Sequence, residues 1–170
     1  MGPKKDVRRI CMVGKTHIVG GVAASLAYAQ VGNLEPLIMM GAGIVGALLP
    51  DICHGGSLIG RRMPLLSKVV NTLFGHRSFT HSILFLVIIA YILNSFVPIE
   101  AIRVGFLIGM ASHYILDMAT KNGIKLFFPI SITVRFPLTV KTGGSAESVV
   151  LGILTLVSFY YGYIALSYYI

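Results

Sequence analysis

Charged residues are scarce in this sequence of 170 residues. They make up 12% of the chain, whereas hydrophobic residues make up 55% and the mean hydropathy is +0.83. Soluble domains carry roughly 25% charged residues, so this composition excludes an ordinary soluble globular domain. It predicts a polytopic membrane protein.

Cysteine is scarce as well. The chain has two cysteines, Cys11 and Cys53, and neither lies in a C-x-x-C pair, which excludes a disulfide framework and a Cys-based structural zinc site. A recognisable cleavage site is also lacking: residues 1–15 are polar and basic, and the apolar run after them continues into a helix. We therefore expect the first helix to remain in the mature protein.

Five apolar segments are long enough to suggest membrane spans. The first two are short and rich in glycine and alanine, a composition that lets neighbouring helices approach closely in a bilayer. The sequence thus predicts an all-α transmembrane helix bundle of about five spans, forming one integral membrane domain over residues 1–170. The predicted spans cover residues 16–29, 37–49, 78–97, 101–118 and 145–170.

Two connecting segments carry patterns of their own. Residues 64–74 place apolar side chains at helical spacing, which predicts a short interfacial helix on the lipid headgroups rather than a partner-binding helix. Residues 121–144 contain a stretch that alternates like a strand pair but carries Pro129 and Pro137. Because proline disrupts strand pairing, we expect an ordered loop or small hairpin over the cytoplasmic end of the bundle.

The positive charges lie on one side of this predicted topology. Only Arg103 of the 14 lysines and arginines falls on the other side. By the positive-inside rule, residues 1–15 form a basic cytoplasmic arm, the 121–144 loop is cytoplasmic, and the C-terminus lies outside the inner or plasma membrane. The net charge of +8 is then an orientation signal, with lipid rather than nucleic acid as the partner.

The same topology gathers polar residues at the cytoplasmic ends of the spans. Ionisable groups at such positions are costly to desolvate and usually mark a functional site. All five histidines and three of the six carboxylates fall there. We expect the fold to bring them together as candidate metal ligands: His17, Asp51, His54, His76, His81, His113, Asp117 and Glu147.

Local spacing within this set suits metal binding. His113 and Asp117 are four residues apart on one helical face, and Asp51 and His54 are three apart across a helix end. A mixed set of His and Asp favours Zn²⁺, with Mn²⁺ or Fe²⁺ as alternatives, over Ca²⁺ or Mg²⁺. The surplus of ligands allows one ion, or two ions about 3.5 to 4 Å apart. The same residues also allow a buried proton relay or an ion-transport path.

Three sequence strings resemble the motifs of a known bacterial and archaeal membrane family: LLPDICH (48–54), HRSFTHS (76–82) and GMASHYILDMATKNG (109–123). The family is that of LexA-regulated, membrane-bound metal-dependent hydrolases, and the pattern is more distantly similar to zinc-dependent phospholipase C. The resemblance implies a metal-dependent hydrolase. One departure is Cys53, where the family pattern LPDxDH has its second aspartate. This implies a thiolate ligand, a site with one ligand fewer, a different metal preference, or a vestigial enzyme.

The expected reaction is hydrolysis of a phosphoester or related ester in a lipid or lipid-linked substrate by metal-activated water at the cytoplasmic face. Asp51 or Glu147 is the candidate general base, and Arg77 and Arg135 are candidates to neutralise developing charge. The hydroxyl residues of the 76–82 string are expected to serve as helix caps rather than nucleophiles. Two alternatives stay open: a metal or proton transporter, and a structural or stress-response membrane protein with a vestigial site.

Overall fold

The computed structural model describes residues 14–74 and 78–170, and most of these residues are helical. Between the described residues no strand ladder forms; there are two isolated β-bridges. The predicted all-α class is therefore confirmed. Within the described residues there are two short 3-10 turns, Leu49–Cys53 and Phe79–His81. The same residues form seven α-helices: α1 (Gly14–Gly32), α2 (Pro36–Leu48), α3 (Leu58–Arg62), α4 (Pro64–Phe74), α5 (Ile83–Phe96), α6 (Glu100–Met118) and α7 (Ser145–Leu166).

Helix α2 packs between α1 and α6, while α7 packs on α1 and α5 on α6. Glycine permits the close crossings. A Cβ atom at Gly46 would lie 2.0 Å from the carbonyl oxygen of Phe106, and one at Gly109 would lie 2.1 Å from that of Gly43. Helix backbones approach this closely only where side chains are absent, so the predicted role of small residues in α2 is confirmed.

Two segments of the described chain are long and apolar enough to cross a membrane. They are Pro36–Cys53, which joins α2 to the following 3-10 turn, and Ser145–Leu166, while Ile83–Phe96 is apolar but shorter. The five-span bundle that the sequence predicts is therefore not confirmed. Helices α1 and α6 each have 19 residues, and the polar residues of the candidate site lower their hydropathy.

The outer helices expose large apolar side chains. On α7, Leu156 is 71% and Phe159 73% exposed, and Tyr91 on α5 is 73% exposed. No residue of α5 is buried. An apolar surface of this extent is unusual for a soluble monomer and is suited to contact with lipid.

The connecting segments also have defined structures. The predicted 64–74 helix coincides with α4, and its position on the headgroups stays a prediction. Residues 121–144 form an ordered loop in which Ile124 and Val134 make an antiparallel bridge. The amide of Ile83 donates to the carbonyl of Leu126 (2.9 Å), so the loop is attached to the start of α5. Of the basic arm, residues 1–13 lie outside the described residues.

Candidate metal centre

Five ionisable side chains from four elements meet in the interior at one end of the helices. His17 comes from the start of α1, Asp51 from the turn after α2, and His81 from the turn before α5, whereas His113 and Asp117 lie in the last turns of α6. None is more than 5% exposed. The antiparallel order of the helices brings these distant sequence positions together.

The ligand atoms of the cluster lie close to one another. The Nε2 atom of His81 is 3.2 Å from Nε2 of His113 and 3.3 Å from Oδ2 of Asp117. Oδ2 of Asp117 is 3.6 Å from Nε2 of His113, and its Oδ1 is 3.7 Å from Nε2 of His17. Oδ1 of Asp51 is 3.9 Å from Nε2 of both His81 and His113. Two overlapping triads therefore form, and His113 belongs to both: His17, Asp51 and His113; His81, His113 and Asp117.

Neighbouring groups orient two of the imidazoles. Nδ1 of His113 is 2.6 Å from the carbonyl oxygen of Ala47, and Nδ1 of His81 is 3.0 Å from the hydroxyl of Thr80. The Tyr114 hydroxyl donates to the carbonyl of Thr80 (2.9 Å), which anchors the His81 turn. Partners of this kind fix the ring so that Nε2 is presented to a metal. The sequence did not indicate either contact, because Ala47 and Thr80 each take part through a backbone carbonyl, which carries no residue signature.

His17 is buried without the hydrogen bonds that a buried polar side chain usually makes. Within the described residues, neither of its ring nitrogens has a hydrogen-bond partner, although the side chain is only 1% exposed. Leaving a buried polar group unpaired costs about 1 to 3 kcal/mol. A ligand bond to a cation accounts for this arrangement, and the imidazole and carboxylate donors of the cluster fit a divalent transition ion.

His81 has two polar neighbours inside the cluster. It is hydrogen-bonded to Asp117 and to Cys53. These contacts hold its imidazole next to the other candidate ligands.

Glu147 lies beside the cluster rather than inside either triad. Its Oε1 accepts a hydrogen bond from the Thr16 hydroxyl (3.0 Å), and its Oε2 accepts one from the amide of Gly143 (2.6 Å). Thr16 directly precedes His17, so the start of α7 is attached to the first ligand of the cluster. A cleft of about 220 Å³ adjoins these groups, lined by Lys15, Thr16, Gly143, Gly144, Glu147, Ser148 and Leu151.

The other candidate residues that the structure describes lie outside the two triads. His54 is half-buried in extended conformation after the 3-10 turn, and neither triad of the described residues includes it. Arg135 is exposed and donates to the carbonyl of Lys121 (3.3 Å). His76 and Arg77 lie outside the described residues. Ser82 caps α5 by accepting from the amide of Phe85 (3.2 Å), which confirms the capping role expected for it.

Cys53 is fully buried next to the cluster. Its Sγ lies 3.6 Å from the carbonyl oxygen of Pro50, and it is hydrogen-bonded to His81. Among the described residues, Cys53 belongs to neither triad. The cysteine that replaces the expected aspartate is thus a neighbour of a candidate ligand.

The helical fold, its apolar surface and the buried centre of histidines and aspartates define a class of membrane protein with a candidate metal site. The chain belongs to the YdjM inner membrane protein family, whose model matches residues 12–170. This family accords with the LexA-regulated membrane family that the motifs resemble. The matches give no support to the distant similarity to phospholipase C.

Two relatives illustrate the range of the family. The uncharacterized protein YvsG of Bacillus subtilis (strain 168) is 55% identical over 152 residues, which cover 89% of this chain and 95% of that protein. The inner membrane protein YdjM of Escherichia coli (strain K12) is 32% identical over 147 residues, covering 79% of this chain and 74% of that protein. No solved structure matches the chain.

Proposed function

We propose that this protein is a membrane-embedded metal-dependent hydrolase that acts on a lipid or lipid-linked phosphoester or ester at the cytoplasmic face of the inner membrane. The observation that carries the proposal is the convergence of five buried candidate ligand side chains from four elements, whose closest donor atoms are 3.2 to 3.9 Å apart. The membrane family supports the lipid environment.

A single ion accounts for the donor distances within either triad. Donor atoms bound about 2.1 Å from a single ion lie roughly 3.0 to 4.2 Å from one another. His113 belongs to both triads, but its Nδ1 is engaged by the Ala47 carbonyl, so only Nε2 is available for a ligand bond. The donor set favours zinc, with manganese or iron as alternatives. When bound, such an ion would supply a Lewis acid that makes water a better nucleophile and polarises an ester.

Other residues of the protein would supply the general base and the positive charges that the reaction needs. With Asp51 assigned as a ligand, Glu147 is the general base, because it lies at the cleft and is joined through Thr16 to His17. Its two hydrogen bonds hold the carboxylate in place to accept a proton from water. Arg77 and Arg135 are proposed to neutralise negative charge on the reacting ester, and the Arg135 side chain would leave the Lys121 carbonyl to do so.

The proposed topology has five helices crossing the membrane: α1, α2, α5, α6 and α7, with the N-terminus cytoplasmic and the C-terminus outside. The one-sided charges support it, since Arg103 stands alone on the far side. The convergence of His17, Asp51, His81 and His113 at one end of the helices also suits this alternating order. Helices as short as α5 then need local thinning of the bilayer.

A comparison of two variants tests the proposal. The Glu147→Gln protein should retain its metal and lose hydrolysis of a phospholipid panel by about 100-fold or more, the scale of general base catalysis. The His113→Ala protein should lose both. Metal flux into liposomes without hydrolysis would instead identify a transporter, and metal-free protein with an intact fold would identify a vestigial site.

A further inference from the structure

Helices α3 and α4 form a hairpin that exposes an apolar face. On α4, Leu65 is 79% and Leu73 68% exposed, whereas Ser67 is buried and the helix packs against the Leu49–Cys53 turn. Helix α4 thus has one side on the protein and an unpartnered apolar side. Exposed leucines on a short amphipathic helix of a membrane protein are typical of insertion among lipids.

The hairpin contains an apolar groove. It has a volume of about 450 Å³ and is lined by Arg62, Met63, Pro64, Leu65, Leu66 and Val69. Five of these six residues are apolar, and the sixth is an arginine at the end of α3. An apolar groove with a cation at its edge matches the two parts of a phospholipid, a hydrocarbon chain and a phosphate.

The charges around the groove have one sign. Arg61, Arg62 and Lys68 belong to the hairpin, and the sequence contains no acidic residue between Asp51 and Glu100. Basic residues next to a membrane surface attract anionic lipids. The hairpin is therefore complementary to an anionic headgroup rather than to a neutral one.

The hairpin is joined to the candidate metal centre. The Ser57 hydroxyl donates to the backbone carbonyl of Asp51 (2.8 Å) and accepts from the amide of Gly60 (2.9 Å), so it caps α3 and attaches it to the Asp51 segment. A Cβ atom at Gly60 would lie 2.0 Å from the carbonyl oxygen of His54. This contact leaves no room for a side chain and fixes α3 against the turn.

We infer that the hairpin of α3 and α4 binds one anionic phospholipid of the surrounding bilayer, with an acyl chain in the groove and the phosphate on Arg61 and Arg62. The lipid is thereby held next to the Asp51 segment. The inference rests on the proposed function for the lipid's role as substrate, and it adds a preference for an anionic headgroup. The binding itself is independent of metal and of hydrolysis.

The absence of tryptophan makes the binding directly measurable. A Leu65→Trp protein carries a single tryptophan at an exposed position of the groove. It is reconstituted in phosphatidylcholine vesicles that contain increasing fractions of dibrominated phosphatidylglycerol or of dibrominated phosphatidylcholine. We expect the tryptophan to be quenched at lower mole fractions of brominated phosphatidylglycerol. The association constant should be at least about tenfold above that of phosphatidylcholine, within the roughly thirtyfold that two basic contacts would give.

Matched charge variants identify the headgroup site. In the Leu65→Trp protein, Arg61→Gln/Arg62→Gln should reduce the preference for phosphatidylglycerol over phosphatidylcholine to near unity. The control, Lys121→Gln/Lys141→Gln, removes the same charge from exposed positions elsewhere and should leave this preference unchanged. The inference would be overturned if both lipids quenched the tryptophan equally, or if the two double variants lost the preference for phosphatidylglycerol to the same extent. The His113→Ala variant separates the lipid-binding inference from the proposed function. If this variant is metal-free but keeps its preference for phosphatidylglycerol, lipid binding is supported whatever the outcome of the hydrolysis assays.

Discussion

The imidazole of His17 stacks on that of His113, with ring centroids 3.8 Å apart and ring planes at 17°. The contact joins the start of α1 to the end of α6, helices that the chain places almost one hundred residues apart. Both rings also face the same carboxylate, because Nε2 of His17 is 3.7 Å from Oδ1 of Asp117 and Nε2 of His113 is 3.6 Å from its Oδ2. The stacking therefore holds two candidate ligands from different helices against one carboxylate.

Removal of a central ligand should abolish metal binding. His113→Ala and Asp117→Ala are each expected to lower bound metal by at least about tenfold, the scale found even for groups that only support ligands. Metal content is measured after purification of membrane-inserted protein. His54→Ala is the matched control, because His54 is half-buried outside both triads of the described residues; wild-type metal content in the His113 and Asp117 variants would refute the assignment.

Close packing of α2 on α6 should be intolerant of a single methyl group. Gly46→Ala places a Cβ atom 2.0 Å from the Phe106 carbonyl oxygen, so the helices must separate, and we expect a loss of about 1 to 3 kcal/mol in stability. Gly41→Ala adds the same group to the same helix where no atom lies within 4 Å. Thermal unfolding in detergent should show a lower Tm for the Gly46 variant alone, and similar Tm values for both would contradict the packing.

Replacement of Cys53 by aspartate tests the departure from the family pattern. Because Cys53 lies outside both triads of the described residues but next to His81, we expect Cys53→Asp to raise affinity for Mn²⁺ or to raise the hydrolytic rate by adding a hard oxygen donor. Cys53→Ser is the control that removes the thiol without adding a carboxylate.

Alkylation of Cys53 gives an independent readout of the same question. A thiol that only fills space should react at the same rate before and after chelation of the metal. Slow alkylation in the metal-loaded protein, rapid alkylation after chelation and no gain from Cys53→Asp would identify the cysteine as a thiolate ligand and contradict our expectation.

Reporter fusions at both ends of the chain test the topology. The positive-inside rule and five crossings predict a cytoplasmic reporter signal at the N-terminus and an external one at the C-terminus. Termini on the same side would remove the odd number of crossings. They would also remove the argument that α1, α5 and α7 all begin at the cytoplasmic face.

The sequence predicted those features of the fold and the site that depend on residue type and on spacing along a helix. His113 and Asp117 lie one helical turn apart, so their shared face followed from periodicity, and the bounds of α4 followed from its apolar pattern. The spacing of Asp51 and His54 was less informative, since the 3-10 turn ends at Cys53 and the extended backbone of His54 leads away from it.

Other features depend on tertiary contacts and leave no local signal. The Ala47 carbonyl that orients His113 is a backbone group, and the Thr16 hydroxyl binds a carboxylate 131 positions away. The number of membrane spans stays a prediction. Helices α1 and α6 carry both packing glycines and site residues, so hydropathy alone does not distinguish a polar spanning helix from an interior one.

Metal stoichiometry is the measurement that tests the central claim most directly. Protein purified in detergent without added metal is analysed by inductively coupled plasma mass spectrometry, with the His113→Ala protein prepared in parallel. The account predicts one transition-metal ion per wild-type chain, zinc above manganese or iron, and less than about one tenth of that in the variant. A metal-free wild-type protein that gains no ion on incubation with zinc, or two ions per chain, would contradict it.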